Sequence, residues 1–95
     1  MIVNNLMIKV KSDKMRYVPE VIERLLSMKG NVRVLKDVKV HRDIAQGGRS
    51  YDLMLITKFE TMNDFREYIT DPYHTEVGKH VVDIMENGTS VCYEE

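Results

Sequence analysis

From Val3 to Lys11 apolar and polar residues take turns: Leu6, Ile8 and Val10 fall on one side, Asn5, Met7 and Lys9 on the other. A period of two is the mark of a strand. Ser12-Asp13 then signals a helix start, and Met15, Val18, Ile22, Leu25 and Leu26 recur at helical spacing. Pro19 lies inside that stripe and cannot donate to the Met15 carbonyl, so the regular helix is expected to begin near Val18 after an irregular turn. Gly30, just past Lys29, is the expected stop. Val32 to Asp43 reads as a second strand, with Val38 and Val40 pointing one way and Asp37, Lys39 and His41 the other, a half-polar pattern suited to an outer position. Gln46-Gly47-Gly48-Arg49 reads as a loop in which the glycines permit positive φ. Ser50 to Glu60 is the third strand. Tyr51, Leu53, Leu55 and Phe59 share one face and Met54 and Ile56 fill the other, as in a central strand covered on both sides.

Thr61 and Asp64 have the spacing of a helix cap, followed by Met62, Phe65 and Ile69 facing inward. Asp71-Pro72 ends that helix and starts another, because proline suits the first helical position. Tyr73, Val77, Val81 and Ile84 form its stripe, Asn87-Gly88 closes it, and Thr89 to Tyr93 is a short last strand. The order is βαββαβ, with the second helix broken at Pro72. It predicts one α+β domain over residues 1–95, a ferredoxin-like sandwich with a four-stranded antiparallel sheet and its helices on a single face. The helix-free face would then carry a row of large apolar side chains, and such a patch normally marks an interface or a ligand groove. A homodimer formed through that face is the expected partner arrangement. It also suits a 95-residue chain, which on its own buries only about two-thirds of its extended surface.

Composition narrows the function. The chain is 43% hydrophobic and 31% charged, within the globular range, and a net charge of −1 gives no electrostatic case for nucleic acid. No apolar run approaches the roughly 20 residues of a membrane span, and Met1 to Val10 lacks the basic-then-apolar pattern of a signal peptide. A cytoplasmic protein is expected. The single cysteine, Cys92, fits a reducing compartment; beside Glu94 and Glu95 it reads as a quiet thiol.

Candidate chemistry concentrates where the chain turns at Pro72. Tyr68 ends one helix and His74 begins the next, so both can reach one pocket, with Leu53, Leu55 and Phe59 as its apolar wall. Imidazole titrates near neutrality and a phenol can donate to a developing oxyanion, so the two form a candidate acid/base pair. The plainer reading has Tyr68 packing at the helix end and His74 bracing the second helix. His80 is about 120° around the helix from His74, poor geometry for one metal, and no ligand set has metal-site spacing. No metal and no cofactor is expected. His41 reads as solvated, and the Gly-Gly loop lacks the lysine and following helix of a phosphate site.

The chain resembles the stress-responsive α/β-barrel family, Dabb. The resemblance rests on Met7-Ile8-Lys9-Val10-Lys11, Gly48-Arg49-Ser50-Tyr51-Asp52-Leu53, Phe59, Tyr68 and Pro72-Tyr73-His74, in that order across almost the whole chain. It implies a ferredoxin-like subunit whose sheet packs on a twin to make a dimeric α/β barrel. The family includes stress-induced proteins without assigned chemistry and small polyketide cyclases, whose pocket uses a tyrosine and a histidine at positions matching Tyr68 and His74. This chain departs from many relatives in carrying Asn4 and Asp71 where they carry histidine; at Asn4 the departure implies a residue that orients a ligand and shuttles no proton. The expectation is a homodimer holding a small apolar or aromatic molecule between sheet and helices. The alternatives are a cofactor-free cyclase-like enzyme using Tyr68 and His74, or a purely structural assembly module.

Overall fold

The computed structural model describes all 95 residues. Strand β1 (Ile2–Val10) is followed by a 3-10 turn (Ser12–Tyr17) and helix α1 (Val18–Leu26), which places Pro19 in the first helical turn, where its missing N–H costs nothing. Strands β2 (Asp37–Arg42) and β3 (Leu53–Phe59) come next, then helices α2 (Met62–Thr70) and α3 (Pro72–Ile84), and finally β4 (Met85–Glu94). The sheet runs β2-β3-β1-β4 with every pairing antiparallel. This is a ferredoxin-like α+β fold.

The pairing register sorts the side chains. Leu6 lies opposite Leu55 and Ile8 opposite Leu53, and these join residues of all three helices in one core. Met7 lies opposite Met54 and Asn5 opposite Ile56 on the other side, where Val91 and Tyr93 of β4 also fall and no helix packs. Alternation along β3 is complete: Leu53, Leu55, Thr57 and Phe59 are buried, Met54, Ile56 and Lys58 half-buried. Val3, registered between Lys58 and Tyr93, is the buried apolar residue that stands outside the main core. Where β1 shifts register at Lys9 and Val10, Asp52 takes over part of the ladder. Its Oδ2 accepts the Val10 N–H at 2.7 Å, and its own N–H donates to the Ile8 carbonyl at 2.9 Å.

Several elements differ from the sequence reading. The second strand begins at Asp37, because Val32 to Lys36 turns: the Val32 N–H donates to the Met28 carbonyl and that of Leu35 to the Val32 carbonyl. Val32, Val34 and Leu35 are nevertheless buried, so their apolarity reflects core and not strand. α1 stops at Leu26, and Gly30, at φ 89°, closes the turn beyond it. In the β2–β3 loop the left-handed residue is Gln46, at φ 56°, and neither Gly47 nor Gly48 is; Asp43 holds Gln46 by accepting its backbone N–H and its side-chain amide. The third strand starts at Leu53, and Asn87-Gly88 does not separate α3 from β4. The strand leaves the helix directly and both residues pair with β1. On α2 the buried residue is Tyr68, with Phe65 beside it, while Met62 and Ile69 are exposed at 38% and 50%. Leu26 is likewise on the outside of α1.

Candidate functional site

Two caps set the candidate site. Thr61 Oγ1 accepts the Asp64 N–H at 3.1 Å and starts α2, with no reciprocal bond from Asp64. Asp71, extended at φ −64° and ψ 132°, ends α2 and caps α3: its Oδ1 accepts the N–H of Tyr73 at 2.8 Å and of His74 at 3.2 Å. With Pro72 fixing the first helical φ, the chain reverses within a few residues and swings His74 back over the end of α2. The His74 and Tyr68 rings lie 4.1 Å apart between centroids, tilted by 39°. Tyr68 rests in turn on Phe59, at 4.9 Å, and Phe65 packs edge-on against Phe59 at 5.4 Å.

Between this aromatic group, α3 and the sheet lies a cleft of about 400 Å³. Ten of its fifteen lining residues are hydrophobic, and none is Lys, Arg, Asp or Glu. The polar lining is sparse: His74 from the helices, and Asn4 and Ser90 from the sheet. Asn4 pairs with Cys92 and Leu6 with Ser90, so Asn4 and Ser90 are diagonal neighbours on the helix-facing side of β1 and β4. Gly88 helps keep that floor open, since a Cβ there would stand 2.9 Å from the Met85 sulfur.

Four of the six residues singled out from the sequence line this cleft: Asn4, Leu55, Tyr68 and His74. Leu53 and Phe59 do not; both are buried in the core, and Phe59 packs against Tyr68. The sequence reading missed Ser90, which alternation in β4 would have placed on the helix side once the β1–β4 register was known. His41 and His80 lie elsewhere, and no group of three His, Cys, Asp or Glu side chains comes together as a metal site. Cys92 is exposed. No helix is long and apolar enough to cross a membrane.

The two candidate reactive groups differ in state. Burial pushes the Tyr68 phenol well above its ordinary pKa, and the nearest partner of its hydroxyl is the buried sulfur of Met28, 4.0 Å away. The phenol therefore stays protonated at neutral pH. Burial also lowers the His74 pKa, opposed by the Ile69 backbone and the Asp71 carboxylate, so the imidazole is neutral there. His74 Nδ1 is shut off from solvent and has no hydrogen-bond partner.

Comparison with known proteins matches this architecture. The family described as the Stress Responsive A/B Barrel Domain, Dabb, matches residues 2–94. A Bacteroides fragilis structure, described as a dimeric protein of unknown function with a ferredoxin-like fold, is 20% identical with a TM-score of 0.87 over 99% of this chain and 95% of its own. An Arabidopsis thaliana protein is 16% identical with a TM-score of 0.89 over 100% of this chain and 95% of its own. The hydroxynitrile lyase of Passiflora edulis is 14% identical with a TM-score of 0.85 over 97% of this chain and 90% of its own. No curated protein matches. At these identities the solved structures speak for the fold, and the family match covers nearly every residue: the chain belongs to the stress-responsive A/B barrel domain family.

Proposed function

We propose that this protein is a homodimer that holds a small, largely apolar molecule in the cleft between sheet and helices. The observation that carries the reading is the cleft itself: about 400 Å³, mostly apolar, with Asn4, Ser90 and His74 as its few polar groups. That size and balance are usual for a small-ligand site. Self-association is supported by the helix-free sheet face, where Met7, Met54 and Ile56 are half-buried and Val91 and Tyr93 are 64% and 44% exposed, and by the description of the Bacteroides fragilis relative as dimeric. The test pairs light scattering, expected to give twice the chain mass, with a panel of small aromatic compounds followed by NMR. Shifts should cluster at His74, Tyr68, Asn4 and Ser90. A monomer removes the dimer reading. A panel that leaves those four residues unmoved removes the ligand reading and leaves an assembly module.

A second reading, a cofactor-free enzyme acting on a carbon acid, is favoured by the contrast between a neutral His74, able to take a proton, and a Tyr68 that keeps its own. The Passiflora edulis relative is a lyase. Turnover lost in His74→Ala, with the fold intact, is its test.

A further inference from the structure

We propose that a second, open hollow, built from the end of β2, the loop after it and the start of β3, binds a small organic anion through Arg42 and Arg49. The ligand is a carboxylate or a phosphate monoester on a partly apolar body. The hollow shares no lining residue with the apolar cleft, so the inference does not rest on the ligand reading given for that cleft.

The first ground is a pair of uncommitted charges. Arg16 donates to the Asp13 carbonyl and the Tyr17 hydroxyl, Arg24 pairs with Glu20, Arg33 pairs with Glu67, and Arg66 donates to Asn63. Arg42 and Arg49 are the arginines whose side chains have no partner, and both line this one hollow of about 550 Å³. The carboxylates beside them are already engaged. Asp52 Oδ2 accepts the Val10 N–H at 2.7 Å and stands 3.7 Å from Lys9 Nζ, and Asp43 Oδ2 accepts the Gln46 N–H at 2.8 Å. With Lys9 included, three cations stand here with two carboxylates, in a chain whose net charge is −1. Like charges beside one space repel, and an anion between them turns that repulsion into attraction. A guanidinium presents its N–H groups in a fork that matches a carboxylate or phosphate, and it is weakly hydrated, so it loses little on making the contact.

The second ground is that the loop is held before any ligand arrives. Across its base the Asp43 N–H donates to the Asp52 carbonyl at 2.9 Å; at its far end the Ser50 N–H donates to the Gly47 carbonyl at 3.0 Å, and Ser50 Oγ accepts the Gly47 N–H at 3.1 Å. Arg42 enters this loop and Arg49 lies on its return, so the backbones that carry the two charges are fixed relative to each other, which lowers the ordering cost of binding. The charge comes from side chains and not from the glycine backbone, since a strand and not a helix follows the loop. The third ground is the apolar surface beside the arginines. Met7 and Met54 face each other in the β1–β3 ladder, and the Tyr51 hydroxyl accepts the Asn87 amide at 3.2 Å. Thioethers adapt to the shape of a ligand and a phenol ring offers it a flat face. An inorganic anion would leave that surface uncovered, so the ligand carries an apolar or aromatic body. Met7 and Met54 also belong to the helix-free face, so the hollow borders the proposed dimer and is tested in the protein as it assembles in solution.

The test titrates the whole protein with benzoate, phenyl phosphate, benzamide and inorganic phosphate, followed by NMR. The tighter of benzoate and phenyl phosphate identifies the headgroup. It should shift the resonances of Arg42, Arg49, Tyr51 and Met54 and leave those of Tyr68 and His74 in place. Benzamide, which lacks the charge, and inorganic phosphate, which lacks the ring, should each bind at least about 10-fold more weakly than that better anion. Arg42→Gln and Arg49→Gln should each weaken it about 10-fold; both positions are exposed, so the fold should be kept. Arg66→Gln, on α2, should bind as wild type does. Benzamide or inorganic phosphate bound as tightly as the better anion, an Arg42 or Arg49 variant that binds like wild type, shifts confined to Tyr68 and His74, or no shift from either organic anion overturns the inference. None of these results removes the separate reading of the apolar cleft.

Discussion

The two faces of the sheet carry similar side chains to different ends. On the helix side, Leu53, Leu55 and Phe59 are buried by the chain's own helices. One residue along, Met54 and Ile56 are as apolar, yet only half-buried, and across β1 they meet Met7 and Asn5 with no helix above. A strand repeats every two residues, so one stretch of seven writes both faces at once. The difference lies in what the chain has left to put on top. Its three helices all go to one side, and none covers the other, the face through which the proposed homodimer would form. Even the covered side is unfinished, because a cleft remains between α2, α3 and strands β1 and β4.

The largest effect should come from breaking the finished face. Leu53→Asp puts an unpaired carboxylate among buried apolar groups, at a cost of several kcal/mol, comparable with the roughly 5–10 kcal/mol that holds a small domain folded. Circular dichroism should show an unfolded chain. A cooperative melt close to wild type would mean that β3 is not a central strand.

Met54→Asp, one position away, should behave differently. The side chain is already half-exposed in a single chain, so the protomer keeps its fold. A twofold interface meets the new charge twice, and association should weaken by about 100-fold or more. Sedimentation at micromolar concentration should show monomer with native secondary structure. If Met54→Asp unfolds as Leu53→Asp does, the open face contributes to folding itself and the two faces are not separable.

Much of this contrast was legible in the sequence. Alternation along Leu53 to Phe59 needs no tertiary information, and Asp71-Pro72 announces the helix break that brings His74 over Tyr68. Other features were not legible, for identifiable reasons. Val32 to Leu35 is apolar enough for a strand, but its burial comes from a turn tied back to Met28, and local pattern does not separate the two. On α2 an apolar count selects Met62 and Ile69, whereas the residue that goes inside is Tyr68, whose ring is as large as a phenylalanine's and whose polar tip disguises it. Asn87-Gly88 has turn chemistry yet pairs with β1, because the β1–β4 ladder begins directly after α3 and takes both residues into it. Ser90 joins the cleft only through the β1–β4 register, which no local signal in β4 reveals.

A smaller effect tests how completely the covered face is finished. Thr57 is buried on that face at 1% exposure, and its Oγ1 has no hydrogen-bond partner. Thr57→Val keeps the shape and removes the stranded hydroxyl, which should add about 1 kcal/mol. For a domain of this size the melting temperature should rise by about 4–8 °C. Unchanged or lowered stability would mean that the hydroxyl has a hydrogen-bond partner such as a bound water.

The smallest effect belongs to His74, at the margin where the covered face opens into the cleft. Burial lowers its pKa below the ordinary imidazole value of 6.5, and the Ile69 backbone and Asp71 only partly oppose this. Tyr68, stacked on the ring, keeps its proton throughout and adds no charge. The unfolded chain therefore takes up a proton at His74 at a higher pH than the folded chain does. Between 6.5 and the lowered value the unfolded state binds more protons, so stability rises with pH there. The contribution is fully present above 6.5 and is lost as pH falls through the folded pKa. Urea midpoints measured across mildly acidic pH should fall on acidification, with a shallow slope because the ring is only half-buried. His74→Phe should flatten that slope if it folds, and a direct NMR titration of His74 gives the same answer in the wild type. A His74 that titrates at 6.5 would place the imidazole in solvent, one that titrates above it would place the ring in firm contact with Asp71, and either way the cleft would lose its neutral imidazole.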